Sequence, residues 1–254
     1  MAPPQGAGWV SAQRLLEPGS PLLGERLRQL GERIAAPRPA VAASLLLEAY
    51  AGLLAQVGFG CLLGAGVVPQ LAAANVSLRF RPGGVPDLVA LHSAGERLGT
   101  PERCEAGFGR LAEGLLDGHL GVLVARLGEL RVRRGPRALW GLVANGCSNA
   151  LVEAAVRADL PAERIRALVD ELFSLPGSPL TGRVGGPPRL LEVAVGGGTR
   201  LLRKRLSCCL FCVQPGCDPC ATCPIYSDEQ AAERAAARLQ ALAGSSGSSG
   251  SSGS

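Results

Sequence analysis

Apolar residues recur at three- and four-residue steps through most of this chain and alternate with polar ones in only one region. The stretch from Pro21 to Ala36 predicts an amphipathic helix, stopped by Pro37 and Pro39. Pro39 or Ala40 opens a longer, almost wholly apolar helix running to about Val57. Val76, Leu78 and Phe80 then alternate with Ser77, Arg79 and Arg81, the period of a half-buried strand. Pro82-Gly83-Gly84 supplies a turn, and the apolar run Leu88 to Leu91 completes a hairpin. From Pro101 helices take over: Leu116, Leu120, Leu123, Leu127 and Leu130 fall at helical spacing, as do Ile165, Leu168, Val169 and Leu172 behind Pro161. The stretch 177–188, rich in Gly and Pro, reads as a loop. Ser227-Asp228-Glu229-Gln230 is a capping box ahead of an Ala-rich helix. The fold class is α+β, mostly helical, with a small β-hairpin or sheet. The expected organisation is a body over residues 1–176, a C-terminal region over 177–243 and a flexible Gly/Ser linker over 244–254.

The stretch from Ala49 to Pro69 is long and apolar enough to span a bilayer, and the mean hydropathy of the chain is +0.21. Five glycines inside it, Glu48 beside it and the lack of a basic flank on one side argue for a buried helix and turn, with no transmembrane span. Of 254 residues, 47% are hydrophobic and 19% charged, which excludes a disordered chain. The net charge is +5, yet Lys204 is the single lysine among 26 basic residues. Such an arginine skew, with abundant Ala, Leu, Gly and Pro, is what a GC-rich genome produces. With aromatics at 4% there is no stacking platform either, so a nucleic-acid partner is not expected.

Cysteine usage changes the picture. Nine cysteines are present: Cys61, Cys104 and Cys147 are solitary, whereas six crowd into the segment from Cys208 to Cys223. The N-terminus lacks the basic start and apolar run of a signal peptide, so the expected location is a reducing cytosol, or the inner face of the membrane. There, clustered cysteines hold metal more often than disulfides. Other chemistries find little support. His92 and His119 stand apart from each other and form no two-histidine metal face. Gly146-Cys147-Ser148-Asn149-Ala150 lacks the second glycine and the preceding strand of a nucleophile elbow. Gly58-Phe59-Gly60 begins a dinucleotide fingerprint, but the third glycine, Gly64, comes one position late, so these are packing glycines. Lys204 is followed by Arg205 and completes no phosphate loop.

The cysteine segment reads Cys208-Cys209-Leu-Phe-Cys212-Val-Gln-Pro-Gly-Cys217-Asp-Pro-Cys220-Ala-Thr-Cys223, with the turn signal Pro215-Gly216 between its two cysteine groups. Cys209-x-x-Cys212 with Cys217-x-x-Cys220 or Cys220-x-x-Cys223 suits tetrahedral zinc, and spacing alone does not separate zinc from an iron–sulfur cluster. A Rieske-type centre is excluded because the segment has no histidine. Adjacent cysteines in extended chain point to opposite sides, so Cys208 and Cys209 serve one centre only where the backbone bends.

The vicinal pair, ten residues, Cys220, two residues and Cys223 form a C-C-x10-C-x2-C pattern that resembles the FhuF-like ferric siderophore reductases. The basic run and serine ahead of the pair are similar too, as are Ala42-Ala43-Ser44-Leu45, the strand start Asn75-Val76 and the pair Trp140-Gly141. The resemblance implies a [2Fe–2S] cluster on Cys208, Cys209, Cys220 and Cys223, with the added Cys212 and Cys217 as alternates or packing residues. It implies reduction of siderophore-bound Fe(III) by one electron and release of Fe(II). The implied partners are a ferric siderophore, hydroxamate type favoured, and a reduced electron donor such as a ferredoxin or flavoprotein. No catalytic side chain is assigned, since the electron passes through the cluster. Arg203, Lys204 and Arg205 either favour the reduced state by their charge or form a solvated basic turn. The competing readings are a zinc-stabilised siderophore-binding module without redox activity and an iron–sulfur electron carrier or maturation protein.

Overall fold

The computed structural model describes residue 4 and residues 6–98, 101–196 and 198–246, with backbone alone over 101–106 and 243–246. In chain order the elements are β1 (Trp9–Ser11), α1 (Ala12–Leu16), α2 (Leu22–Arg33), α3 (Pro39–Ala65), β2 (Val67–Val68), β3 (Val76–Phe80), β4 (Pro86–Leu91), β5 (Glu96–Arg97), α4 (Pro101–Leu115), a π turn over Leu116–Leu120, α5 (Gly121–Glu129), α6 (Pro136–Arg157), α7 (Ala162–Ser174), α8 (Pro179–Arg183), β6 (Leu190–Val195), β7 (Gly198–Arg203) and α9 (Asp228–Ser246). The α+β, mostly helical class holds. Among the described residues there are three small antiparallel sheets: β1-β3-β4, β2-β5 and β6-β7.

The core is organised by α3 against α6. Both helices are apolar around most of their circumference, as helices packed on several sides must be. They meet where neither carries a side chain: a Cβ on Gly146 would lie 2.7 Å from Gly52 N and 2.8 Å from Glu48 O. The expected hairpin is present, with Leu78 opposite Val89 and Val76 opposite Leu91. Gly83 and Gly84 turn it with φ of 97° and 80°, conformations that side chains disfavour.

Three expectations need correction. The α3 helix does not stop near Val57 but continues to Ala65, through Gly58, Gly60 and Gly64, and ends at Gly66 in the left-handed conformation. Of the glycines expected to serve packing, Gly58 does, since a Cβ there would meet Leu71 and Leu111 at 3.1 Å, whereas a Cβ on Gly60 or Gly64 would meet nothing within 4 Å. By length and composition α3 could cross a membrane, but here 61% of its most apolar window is buried within the fold. The loop expected over 177–188 contains α8, started by Ser178, whose side chain accepts from Leu180 N. Finally, α9 runs past Ala243 into the expected linker, whose residues 247–254 lie outside the described ones. The capping box is formed as read: Gln230 N donates to Ser227 Oγ at 3.2 Å and Ser227 N to Gln230 Oε1 at 3.0 Å. Where α9 lies on β6, a second small apolar cluster forms from Leu191, Val193, Ala231 and Ala235.

Candidate metal centre

The segment that follows β7 carries six cysteines, and α6 holds it in place. Buried Asn145 accepts from Leu206 N through Oδ1 and donates through Nδ2 to Ser207 O, both at 2.8 Å. Arg134 Nη2 donates to Cys208 O at 2.8 Å, and Ser207 Oγ donates to Ala138 O at 3.1 Å. Gly141 makes room for this approach: a Cβ there would sit 2.7 Å from Ser207 Cβ. The two limbs of the loop are joined by Arg205 N donating to Thr222 O at 3.0 Å. Gln214 ties its tip to the end of α2 through Nε2 donating to Ile34 O at 2.8 Å.

The backbone bend that the vicinal pair requires is present. Leu210 adopts the left-handed conformation, φ 62°, which costs a residue with a Cβ about 1–2 kcal/mol. Its N–H donates to Cys208 Sγ at 3.3 Å. The turn from Cys220 to Cys223, closed by Cys223 N donating to Cys220 O at 2.9 Å, then faces the vicinal pair. Cys209 Sγ and Cys220 Sγ stand 3.9 Å apart. Cys208 interacts with Cys223 and with Cys212. Cys217 lies apart, its thiol turned toward Gln214 Oε1 at 3.8 Å. Thus the sequence-derived set of Cys208, Cys209, Cys220 and Cys223 is brought together as two pairs, Cys212 joins one of them, and Cys217 joins neither. Among the described residues, no three His, Cys, Asp or Glu side chains converge on one point as a single ion would require.

Electrostatics favour negative charge on one of these sulfurs, Cys209, and hold the proton on its neighbours. Hydrogen bonding from Cys220 pulls the Cys209 thiol down to about 5, helped by Arg205 and by the Phe211 backbone N–H, while Cys220 is held up as the pair's remaining proton donor. Burial, then the charge on Cys208, raises Cys212, and burial raises Cys223. Behind the sulfurs, Glu48 of α3 takes both Arg205 and Arg203, the latter at 3.3 Å. Burial raises the Glu48 carboxyl, and the two guanidiniums pull it back without cancelling the effect. Burial lowers Arg203 to about 10, so it remains cationic at neutral pH. Arg203 Nε and Nη1 and Arg205 Nε are buried with no hydrogen-bond partner among the described residues. The basic run is therefore not a solvated turn. Arg203 and Arg205 face inward, whereas Lys204 points the other way to Asp228 at 2.7 Å.

A [2Fe–2S] cluster is an anionic group held by four thiolates on two irons, whereas structural zinc gathers four ligands on one ion. Two thiol pairs, one easily ionised member and orphaned cationic N–H groups nearby fit the cluster. Cys208, Cys209, Cys220 and Cys223 would hold it. The histidines take no part. His119, in the π turn, is fully enclosed: Nδ1–H donates to Leu71 O at 2.6 Å and Nε2 accepts from Tyr50 Oη at 2.7 Å. Cys147 is buried within α6, and burial pushes its thiol up to about 12, which leaves it inert. Sequence reasoning missed Asn145, Arg134 and Glu48. For Asn145 and Glu48 the signal was a polar or charged residue inside the apolar runs of α6 and α3; for Arg134 no local signal exists.

A family model described as "Ferric iron reductase FhuF-like transporter" matches residues 44–180. The matched region holds Glu48, Arg134, Gly141 and Asn145 and ends ahead of the cysteines. No match among curated proteins was found. Among solved structures the chain is similar to aerobactin synthetase IucC from a hypervirulent pathotype of Klebsiella pneumoniae, at 18% identity and a TM-score of 0.44, over 66% of this chain and 31% of that one. The chain thus spans under a third of that protein's length, and so slight a likeness carries no argument about function.

Proposed function

Since this chain belongs to the FhuF-like ferric iron reductase family, we propose that it reduces siderophore-bound Fe(III) through a [2Fe–2S] cluster on Cys208, Cys209, Cys220 and Cys223. The observation that carries the reading is the paired arrangement of these thiols, with Cys209 Sγ 3.9 Å from Cys220 Sγ and Cys208 beside Cys223. When bound, such a cluster supplies one electron at a time, normally cycling between two charge states. The electron reduces Fe(III) to Fe(II), and a ferredoxin or flavoprotein returns one electron to the protein. Siderophore oxygens grip Fe(II) far less tightly than Fe(III), so reduction releases the metal.

The chain's own residues do the rest. Arg205 places a fixed positive charge beside Cys208, Cys209 and Cys220, which favours the added negative charge of the reduced state. Asn145 and Arg134 fix the loop backbone, so the thiolates are presented without large rearrangement. All eight cysteines with described side chains are free thiols, which supports a reducing compartment.

The test uses protein purified without oxygen and loaded with iron and sulfide. It should contain about two of each per chain and give a paramagnetic spectrum on reduction. Mixed with a ferric trihydroxamate and a ferrous chelator, it should be reoxidised by about one electron per cluster. The gallium analogue should leave it reduced. Stoichiometric zinc without sulfide, or a reduced protein indifferent to every ferric siderophore, would refute the proposal.

A further inference from the structure

The cysteine segment leaves large apolar side chains in solvent. Phe211, Val213 and Ile225 are 36%, 37% and 64% exposed. Two of them rim the sulfurs directly, since the backbone N–H of Phe211 donates to the Cys209 sulfur and that of Ile225 to the Cys223 sulfur. The turn between α5 and α6 lies against the same segment, through Arg134 on Cys208 O. It reads Arg131-Val132-Arg133-Arg134-Gly135-Pro136-Arg137, and Arg131, Arg133 and Arg137 are exposed. We propose that this apolar and arginine-rich face is where an acidic one-electron carrier protein docks to exchange an electron with the cluster; this deepens the reductase reading and rests on it.

The argument is one of placement and charge. Glu129, the nearest acid in the chain, is taken by Arg126, and among the described residues no ion pair holds Arg131, Arg133, Arg134 or Arg137. Asp218 is the one carboxylate in the sequence between Arg205 and Tyr226. The four arginines outweigh Asp218 together with the roughly two negative charges of an oxidised four-thiolate cluster, part of which Arg205 already meets. Arg133 holds a left-handed φ of 56° although it ends no helix. Strained backbone of this kind gathers at binding sites, and here it stands one residue from the hold on Cys208. An apolar centre rimmed by arginine is the anatomy of a protein contact. Three apolar side chains suit the small, short-lived encounters of electron carriers, whose arrival is set by steering between opposite charges. The complement of this face is a carrier with carboxylates around its own redox centre.

The probe is a plant-type [2Fe–2S] ferredoxin, a strongly acidic protein that gives or takes one electron. Its exchange with the cluster-loaded protein is followed by stopped flow, in whichever direction the two potentials dictate. The methyl viologen radical cation, a small reductant, reports reducibility without docking. For the native protein the second-order rate constant should fall about tenfold or more between about 0.05 and 0.5 M salt. Arg131→Gln with Arg133→Gln should slow exchange at low salt by about tenfold and flatten the salt dependence, with iron and sulfide content, the reduced spectrum and the viologen rate retained. Ile225→Ser should slow exchange at low and high salt alike, because apolar contact is not screened. Arg157→Gln with Arg164→Gln removes the same charge at and beyond the far end of α6 and should leave the rate within about twofold of native. A salt-independent native rate, or equal slowing by both arginine pairs, would overturn the proposal. So would an Arg131/Arg133 variant that exchanges normally but no longer binds vesicles of anionic phospholipid that the native protein binds, since the face would then be a membrane contact. If ferredoxin exchange behaves as expected while no ferric siderophore is reduced, the docking face stands and the reductase reading falls. If the siderophore is reduced while the Arg131/Arg133 variant exchanges like native protein, the reductase reading stands and carriers dock elsewhere.

Discussion

Replacing Asn145 by alanine removes the clamp between α6 and the cysteine segment, and its effect can be worked out from two contacts. The side chain makes two 2.8 Å hydrogen bonds, one as acceptor from Leu206 N and one as donor to Ser207 O. An intramolecular hydrogen bond contributes about 0.5–1.5 kcal/mol net, and a buried partner left unpaired costs about 1–3 kcal/mol. Both backbone partners are only partly buried, so the lower half of that range applies. Alanine returns about 0.5 kcal/mol through its better helix propensity. The expected net loss is about 2–3 kcal/mol, a shift of about 30- to 150-fold in the equilibrium that holds the loop down. Two measurements read it. Hydrogen exchange at the Leu206 amide should accelerate by that factor, and cluster retention on dilution into chelator should shorten in parallel. The urea midpoint should fall less, because the loop can detach while the helical core stays folded. Asn145→Asp should not rescue: it keeps an acceptor for Leu206 but sets a carboxylate against Ser207 O. An alanine variant with native exchange at Leu206 and native cluster retention would refute the reasoning.

Other outcomes follow from the same geometry. Gly146→Ala forces a Cβ to within 2.7 Å of the α3 backbone and should destabilise by about 1–3 kcal/mol; Gly52→Ala, whose Cβ would lie 3.7 Å from Gly146 Cα, should be neutral or stabilise by about 0.5–1 kcal/mol. Equal melting temperatures for the two variants would contradict the close crossing. Burial lowers His119 to about 4, below the unfolded value of about 6.5, so the unfolded chain alone binds a proton between these values. Stability should therefore be intact above pH 6.5 and fall by about 1.4 kcal/mol per unit, up to about 3 kcal/mol, as pH drops toward 4; denaturation of His119→Gln should lack this increment, and identical pH slopes would refute it. Serine at Cys208, Cys209, Cys220 or Cys223 should abolish or alter the cluster spectrum, whereas Cys217→Ser should not; a Cys217→Ser protein without iron would overturn the ligand assignment.

What the sequence revealed depended on how local each signal was. The β3–β4 hairpin was legible because its alternation and its turn lie within sixteen residues of chain. The true length of α3 was not, since Gly58, Gly60 and Gly64 weaken helix propensity and only the packing of Gly58 against Leu71 and Leu111 explains its tolerance. The β6–β7 hairpin went unread although glycines fill the sequence from the end of β6 to Gly198, the first residue of β7; β6 alternates in its burial only once α9 covers one face. The cysteine segment was visible by spacing, but its supports were not. Asn145 is 61 residues from Leu206, and Glu48 is 157 from Arg205. The basic run was seen as a patch because its side chains were read together. β7 ends at Arg203, but Lys204 N still donates to Arg189 O, and carrying the strand's alternation two residues further sends 203 and 205 one way and 204 the other, which separates the buried pair from Lys204.

The two central helices also act as rulers. Gly141, Asn145 and Asn149 recur every four residues on α6, and Glu48, Gly52 and Gln56 do the same on α3. Each stripe therefore runs along one side of its helix, advancing about 6 Å per step. The first places on α6 seat the cysteine segment, and the last, with the three on α3, lines an open groove of about 340 Å³. The distance from the segment to the groove is thus written into helical rise rather than into loop conformation. A longer or shorter cysteine loop would change how the segment is seated but not where the groove lies along the two helices.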